Sequence, residues 1–144
     1  MVERNNRHYD VAIIGGGLVG ASLACALAPL GLKVALIEAV TFRAASQPSY
    51  DDRTLALSAS SCRILEGLGI WPSLENNATP IREIQVREYE RPGRVVMEPG
   101  ELGLDRFGHV VEARVFGAAM MEKLPQLDKL DFLCPAAVTR VRPH

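Results

Sequence analysis

The sequence predicts an α/β fold whose N-terminal part holds a parallel sheet. Two short apolar strands, at residues 10–14 and 33–38, flank a stretch whose apolar residues recur at helical spacing. A cluster of glycines lies between the first strand and that helix. Strand, helix and strand together occupy about thirty residues, the usual length of a right-handed crossover unit. With 48% apolar and 23% charged residues, the 144-residue chain has the composition of a globular domain.

Charge and cysteine usage exclude several function classes. Sixteen basic and 17 acidic side chains leave a net charge of -1, so no broad field attracts the chain to nucleic acid. Three widely spaced cysteines match neither a disulfide framework nor a CxxC metal site, and the three histidines lack the paired spacing of zinc ligands. We therefore expect no metal, no nucleic-acid partner, and reduced thiols in a cytoplasmic setting.

The first strand begins a long uncharged run. No charged residue occurs from residue 11 to residue 32, and a continuous helix of that length would be long enough to cross a bilayer. Four glycines between residues 15 and 20 would weaken a spanning helix, and Pro29 would interrupt its far end. The acidic Asp10 directly before the run is also untypical of a signal peptide. A buried strand and helix is the favoured interpretation, and a signal or membrane segment is the alternative.

The first helix is expected over residues 18–30 and carries two rows of side chains. Small residues at positions 20, 24 and 28 would let the helix lie close against the sheet. Larger residues at positions 19, 23, 27 and 30 form the other row and need a different partner. The pattern therefore predicts a helix buried on two sides, and Pro29 and Gly31 mark its end.

The later elements follow from shorter patterns. Residues 39–52 read as a polar loop, 55–68 as a helix, Trp71 and Pro72 as a turn, and 113–124 as a helix stopped by Pro125. Residues 81–90 and 94–98 alternate β-branched and charged residues around a turn at 91–93, which predicts an exposed hairpin. Residues 130–133 are expected to form a third parallel strand, and 136–142 another alternating segment.

The glycine cluster reads GGGLVG at residues 15–20, which is a G-x-G-x-x-G pattern. Gly15 permits the tight turn out of the strand, Gly17 lets a pyrophosphate reach the backbone, and Gly20 lets helix and sheet approach closely. The amides near Gly17 and Leu18 lie at a helix N-terminus, where unpaired N–H groups and the helix dipole favour a diphosphate. This is the fingerprint of a Rossmann-like dinucleotide site.

Glu38 ends the second strand, where a carboxylate can accept hydrogen bonds from both hydroxyls of an adenosine ribose. A 2′-phosphate at that place would be repelled. The fingerprint alone does not choose between FAD and NAD, because both place adenosine diphosphate in the same cradle. A plain glycine turn in a sheet that binds nothing is the remaining alternative.

Two longer segments resemble a known family. DVAIIGGGLVGASLACALAPLGLKVALIE followed by YDDRTLALSASSCRILEGLGIWPSL is similar to the FAD-dependent aromatic hydroxylases of ubiquinone biosynthesis, the 2-octaprenyl-6-methoxyphenol hydroxylase group. The DDRTLALS segment resembles the family's second signature, which implies that Arg53 lies by the flavin and pyrophosphate. VVEAR at residues 110–114 resembles the segment that enters a flavin-lining helix, which implies that Arg114 contacts FAD. Either arginine could instead be an ordinary surface residue.

The resemblance implies FAD as cofactor, NAD(P)H and O2 as co-substrates, and a polyprenylated phenol as the substrate whose ring is hydroxylated. The cofactor then supplies the oxygen chemistry, and no catalytic acid or base is expected in this chain. Polyprenyl phenols reside in membranes, so the resemblance also implies peripheral placement at the inner membrane surface, or association with other ubiquinone-biosynthesis proteins.

Members of this family are longer and carry a later Gly-Asp motif that this sequence lacks. We therefore expect residues 1–144 to be the N-terminal part of an FAD-binding domain, with the 81–98 hairpin belonging to a substrate-facing sheet. The rest of the FAD domain and most of the substrate domain are expected to be absent, and the chain alone to be inactive. A different flavin oxidoreductase and a non-catalytic nucleotide-binding module are the alternatives, although the DDR segment disfavours the first.

Overall fold

The computed structural model describes residues 7–41 and 53–142. Within these residues, eight strands form three sheets. The parallel sheet has the order β1-β2-β8, formed by Val11–Ile14, Val34–Ile37 and Leu130–Leu133. An antiparallel sheet has the order β3-β7-β4, formed by Thr54–Ser58, Gly108–Glu112 and Thr79–Ile81. β5 (Ile84–Val86) and β6 (Val95–Met97) form a separate antiparallel pair. The predicted α/β class and third parallel strand are therefore confirmed.

The parallel sheet is centred on its most buried strand. β2 pairs in register with β1 on one side, Val11 opposite Val34, and with β8 on the other, Val34 opposite Leu130. Val34, Ala35 and Leu36 are almost fully buried, as expected for a strand covered on both faces.

In the described part of the chain, four α-helices accompany the sheets. They are α1 (Leu18–Leu27), α2 (Ala59–Gly67), the single-turn α3 (Trp71–Leu74) and α4 (Ala113–Lys123). α1 is followed by one 3-10 turn over Ala28–Leu30, which ends at Gly31, where the sequence predicted the end of the helix; Gly31 has a left-handed φ of 72°. Trp71, expected in a turn, is buried in the single turn of α3. α1 packs against α4 as well as against β1 and β2, which joins the two larger sheets through one core.

The helix predicted over residues 55–68 is wrong in its first part. Residues 54–58 are β3, which pairs antiparallel with β7 along its whole length, Leu57 lying opposite His109. The helix begins only at Ala59, because the hydroxyl of Ser58 accepts a hydrogen bond from the Ser61 amide at 3.1 Å and caps it. Arg53 therefore directly precedes a strand and not the predicted helix.

Other predicted elements differ from the structure in smaller ways or agree with it. The 11–32 run forms β1, the glycine turn and α1, and within residues 7–41 and 53–142 no helix is long and apolar enough to cross a membrane. The hairpin is confirmed as β5 and β6, although both strands are shorter than predicted. Residues 136–142 form no strand. Most of the predicted loop at 39–52, including Asp51 and Asp52, lies outside the described residues.

The helix α1 is buried on one side only. Of the predicted row of small residues, Ala24 is 1% exposed, and the neighbouring Ala21, which was not part of that row, is 0% exposed. Of the predicted larger row, Leu27 is partly buried against the core, whereas Val19 is 85% exposed and Leu23 is 46% exposed. Within the described part of the chain, the predicted second face of this helix is therefore covered only in part.

Candidate nucleotide-binding site

The turn between β1 and α1 depends on the absence of side chains at two glycines. Gly15 has φ of 103°, a conformation that L-residues rarely adopt, and its amide donates to the carbonyl of Ile37 at 2.8 Å. A Cβ on Gly20 would overlap the carbonyl oxygen of Gly15 and approach Ile13 Cγ2 to 3.2 Å. The first turn of α1 can therefore lie against the end of β1 only because both residues are glycine.

The N-terminus of α1 offers backbone donors. Gly17 is the N-cap residue, and no side chain caps the helix. The first intrahelical bond is donated by the Ala21 amide to the Gly17 carbonyl at 2.9 Å, so the amides from Leu18 to Gly20 precede the helical ladder. With the positive end of the helix dipole at the same place, this turn suits a diphosphate without any basic side chain.

Glu38 lies directly beside the glycine turn. Its Oε2 accepts a hydrogen bond from the Gly16 amide at 2.7 Å, and its Oε1 accepts one from the Val40 amide at 2.8 Å. Each carboxylate oxygen has a second lone-pair direction, so both can also accept a ribose hydroxyl. A Cβ on Gly16 would come within 2.9 Å of Glu38 Cβ, which shows how tightly the two segments approach.

These groups border one open pocket of about 820 Å³. It brings together six of the seven predicted site residues: Gly15, Gly17, Leu18, Gly20, Glu38 and Arg53. The carboxylate, the helix N-terminus and a guanidinium on different segments thus face the same space. The residues present fit the adenosine diphosphate part of a dinucleotide, and Arg53 borders the same pocket from a different segment of the chain than the glycine turn.

Arg114 is the predicted residue that the structure does not bring to this pocket. Its Nε pairs with Glu112 Oε2 at 2.5 Å, and its side chain borders a different groove beside Ser73 and Asn77. The neighbouring Ala113 borders the nucleotide pocket instead.

Several residues of the pocket wall, most of them apolar, were not predicted from the sequence. They are Ile13, Ile14, Val19, Leu23, Leu55 and Ala113, together with the polar Thr54. Side chains that alternate with a period of two residues are typical of a strand, and this pattern at residues 54–58 would have identified Thr54 and Leu55 as strand residues following Arg53. The contribution of Ala113 has no signal in the sequence, because it depends on how α4 packs.

A second cluster of reactive side chains lies on the far side of β3 and β7. Cys62 Sγ is 3.5 Å from His109 Nδ1, and the Trp71 ring lies 4.7 Å from the imidazole, centroid to centroid. Burial lowers the pKa of His109, and the charge of Arg106 lowers it further, while burial raises the pKa of the Cys62 thiol. Both shifts favour the neutral forms, so this pair is a packing contact between α2 and β7.

Comparison with known proteins identifies the family. The family model described as an FAD binding domain matches residues 8–141, and the chain belongs to this family. FAD is accordingly its cofactor, which resolves the choice between FAD and NAD that the glycine fingerprint left open.

Curated relatives carry more specific names. The chain is 35% identical over 133 residues to the ubiquinone hydroxylase UbiL of Rhodospirillum rubrum, covering 92% of this chain and 31% of that protein. It is 35% identical over 143 residues to the 3-demethoxyubiquinol 3-hydroxylase of Escherichia coli, covering 96% of this chain and 36% of that protein. The chain thus spans about a third of the length of these relatives.

A solved structure extends the likeness of the fold. The Diels-Alderase PyrE3 of pyrroindomycin biosynthesis is similar over 93% of this chain and 27% of its own, with a TM-score of 0.68 at 23% identity. At that identity the similarity concerns the fold, which hosts more than one kind of reaction.

Proposed function

We propose that this chain is the FAD-holding part of a monooxygenase that hydroxylates the aromatic ring of a polyprenylated phenol in ubiquinone biosynthesis, with NAD(P)H and O2 as co-substrates. The observation that carries the proposal is the single pocket in which the glycine turn, Glu38 and Arg53 meet. Family membership and the names of the two curated relatives favour this reaction over other flavin chemistry.

Each residue has a defined role in this proposal. The amides of Gly17 and Leu18 bind the diphosphate, Gly15 and Gly20 permit their approach, and Glu38 accepts the ribose hydroxyls. Arg53 lies at the entrance of β3 and compensates the charge of the diphosphate. When bound, FAD supplies the redox and oxygen chemistry, and these residues hold and orient it.

The chain is proposed to be one part of a larger catalytic unit. The β5–β6 pair is separate from both larger sheets, and we assign it to a substrate-facing sheet. Residues 1–144 alone are then expected to bind FAD without hydroxylating a phenol, because most of the length of the relatives has no counterpart here. Since polyprenylated phenols reside in membranes, the complete unit is proposed to work at the membrane surface.

A fusion protein tests the reaction. Residues 1–144 replace the aligned N-terminal region of the Escherichia coli hydroxylase, and the fusion is expressed in a strain lacking that enzyme. We expect a yellow protein that restores ubiquinone, while the 144-residue chain alone takes up FAD and restores none. Gly20→Ala in the fusion should abolish the restoration, and Gly67→Ala, whose Cβ would meet nothing within 4 Å, should preserve it.

The alternatives give different outcomes. A fusion that binds FAD and oxidises NADH without any hydroxylated product would assign the site to another flavin reaction, as the likeness to a Diels-Alderase illustrates. A fusion that binds FAD but consumes no NADH would favour a non-catalytic nucleotide-binding module. Hydroxylation by the isolated 144-residue chain would contradict its assignment as a part.

A further inference from the structure

A separate recess of about 270 Å³ lies between α2, α3 and the start of β7. It shares no residue with the nucleotide pocket. Three of the residues that line it are buried: Cys62, Trp71 and His109 are 5%, 7% and 9% exposed. Pockets for drug-sized ligands usually measure about 300–1,000 Å³, so the recess suits a single small ring and not a dinucleotide.

Two ring nitrogens at this recess are available to a ligand. His109 Nδ1 is 3.5 Å from Cys62 Sγ, which leaves the imidazole Nε2. Within the part of the chain that the structure describes, neither His109 Nε2 nor Trp71 Nε1 takes part in a hydrogen bond, and neither atom is fully enclosed. Because buried polar groups are almost always paired with protein, water or ligand, both nitrogens call for a partner inside the recess.

The two nitrogens offer complementary hydrogen bonds. The indole N–H of Trp71 is always a donor. Burial and the charge of Arg106 lower the pKa of His109, so its imidazole is neutral near pH 7. In the tautomer whose Nδ1–H donates to Cys62 Sγ, Nε2 is an acceptor. A ligand that donates one hydrogen bond and accepts another would therefore satisfy both nitrogens.

The surroundings of the two nitrogens favour a neutral aromatic ligand. The Trp71 and His109 rings, with centroids 4.7 Å apart, offer aromatic surface for a third ring. Charges of both signs nearly balance at the border, so neither an anion nor a cation is strongly attracted. These bordering residues are Arg63, Arg106, Glu66, Glu75 and Asp105.

We propose that this recess is a holding site for one phenol ring, separate from the nucleotide pocket. The phenol hydroxyl donates to His109 Nε2, and an oxygen substituent on the ring accepts a hydrogen bond from Trp71 Nε1. The choice of a phenol over other neutral rings with the same two groups rests on the proposed function, whose substrate is a phenol.

Trp71 is the only tryptophan among the 144 residues, so its fluorescence reports directly on this recess. The chain without FAD is titrated with 3-methoxyphenol, and we expect saturable quenching with a Kd of about 1 mM, within reach of a ligand of this size. 1,3-Dimethoxybenzene has the same ring but no donor, and it should bind at least about fivefold more weakly. Quenching that does not saturate, or equal binding of both compounds, would overturn the proposal and leave the recess to water.

A variant tests the donor of the site. Trp71→Phe keeps an aromatic ring and removes the indole N–H, so it should weaken the binding of 3-methoxyphenol by at least about fivefold in a titration followed by NMR of the ligand. Tyr89→Phe is the matched control, because it removes a polar group from an aromatic side chain that is 87% exposed and lies outside the recess. Equal affinity of Trp71→Phe and the wild type would overturn the proposal. If Trp71→Phe fails to fold, the comparison of the two ligands still decides.

Two further outcomes are distinguishable. Saturating 3-methoxyphenol should leave the Kd for FAD unchanged in a flavin titration, and competition between them would assign the phenol to the nucleotide pocket and overturn the holding site. Tighter binding of benzoate than of 3-methoxyphenol would assign the recess to an anion and would also overturn it. None of these measurements depends on hydroxylation, so the holding site can fail while the proposed reaction stands, and the reverse.

Discussion

The carboxylate of Glu38 accepts a hydrogen bond from the backbone amide of Gly16 at 2.7 Å, so the residue directly after β2 fixes the turn that follows β1. One side chain thereby has two roles: it stabilises the glycine turn and, in our proposal, it receives the ribose of FAD. The pairing also explains why this acidic residue is compatible with a site for a negatively charged ligand. Its two oxygens already accept hydrogen bonds from N–H donors, and in our proposal their remaining lone pairs accept ribose hydroxyls and not phosphate.

Glu38→Gln is expected to weaken FAD binding by roughly tenfold or more, because hydrogen bonds to a charged acceptor contribute about 1.5–3 kcal/mol each. The amide side chain keeps one acceptor oxygen and presents N–H groups where the backbone already donates. Quenching of flavin fluorescence during titration of the 144-residue chain measures the change. Glu101→Gln, on an exposed 3-10 turn, is the control and should bind FAD like the wild type. Unchanged binding by Glu38→Gln would remove Glu38 from the site.

Gly20→Ala is expected to destabilise the fold by about 1–3 kcal/mol, the usual cost of overpacking. The new Cβ would overlap the Gly15 carbonyl, so α1 must move away from β1 and FAD affinity should fall as well. Urea unfolding and the flavin titration measure the two effects. Gly67→Ala, where the Cβ meets nothing within 4 Å, should be neutral or stabilising by up to about 1 kcal/mol. Similar losses in both variants would argue against the close approach.

The glycine turn and Glu38 could be predicted because their chemistry is local. A turn that needs φ of 103° at Gly15 and no Cβ at Gly20 leaves a direct signature in the sequence, and Glu38 follows from the spacing of one crossover unit. The parallel strand at residues 130–133 was also predictable from its apolar run, although its partner β2 is almost a hundred residues away.

The segment after Arg53 could not be predicted in the same way. Leu57 and Ile64 are spaced as on a helix, and local spacing alone favours a continuous helix there. The strand β3 forms because residues 54–58 pair with β7, more than fifty residues later, and because Ser58 caps the helix that follows. Long-range pairing of this kind overrides local preference. The same holds for Arg114, whose position depends on the packing of α4.

The buried imidazole of His109 should make stability depend on pH. Burial and the Arg106 charge lower its pKa in the folded state, while Glu75 and Glu66 act in the opposite direction more weakly. The unfolded chain therefore binds a proton more readily, and stability should fall as pH decreases through the pKa of unfolded histidine, near 6.5. Urea unfolding between about pH 5.5 and pH 8 measures this slope.

His109→Gln removes the titrating ring and should flatten the pH profile over that window. His8→Gln is the matched control, because it makes the same substitution at an exposed histidine. The variant also loses the contact of the ring with Trp71, so a lower stability at every pH is expected alongside the flatter slope. A slope that stays as steep without His109 would assign the pH dependence to other groups.

Arg53 and Arg114 allow geometry and family resemblance to be tested against each other. The resemblance assigns both guanidinium groups to FAD, whereas the structure places Arg53 on the nucleotide pocket and Arg114 on another groove, paired with Glu112. Arg53→Ala should therefore raise the Kd for FAD by about tenfold, as expected for the loss of a charge-assisted contact to phosphate. Arg114→Ala should change it by less than about twofold, because an exposed ion pair contributes little.

The two arginines should also differ in salt dependence. If Arg53 faces the diphosphate, the wild-type affinity should fall with added salt and that of Arg53→Ala should fall less, while Arg114→Ala keeps the wild-type slope. Flavin titrations at two ionic strengths measure both variants on the 144-residue chain. If both variants bound FAD more weakly and with the same reduced dependence on salt, α4 would have to turn Arg114 toward the cofactor when FAD binds.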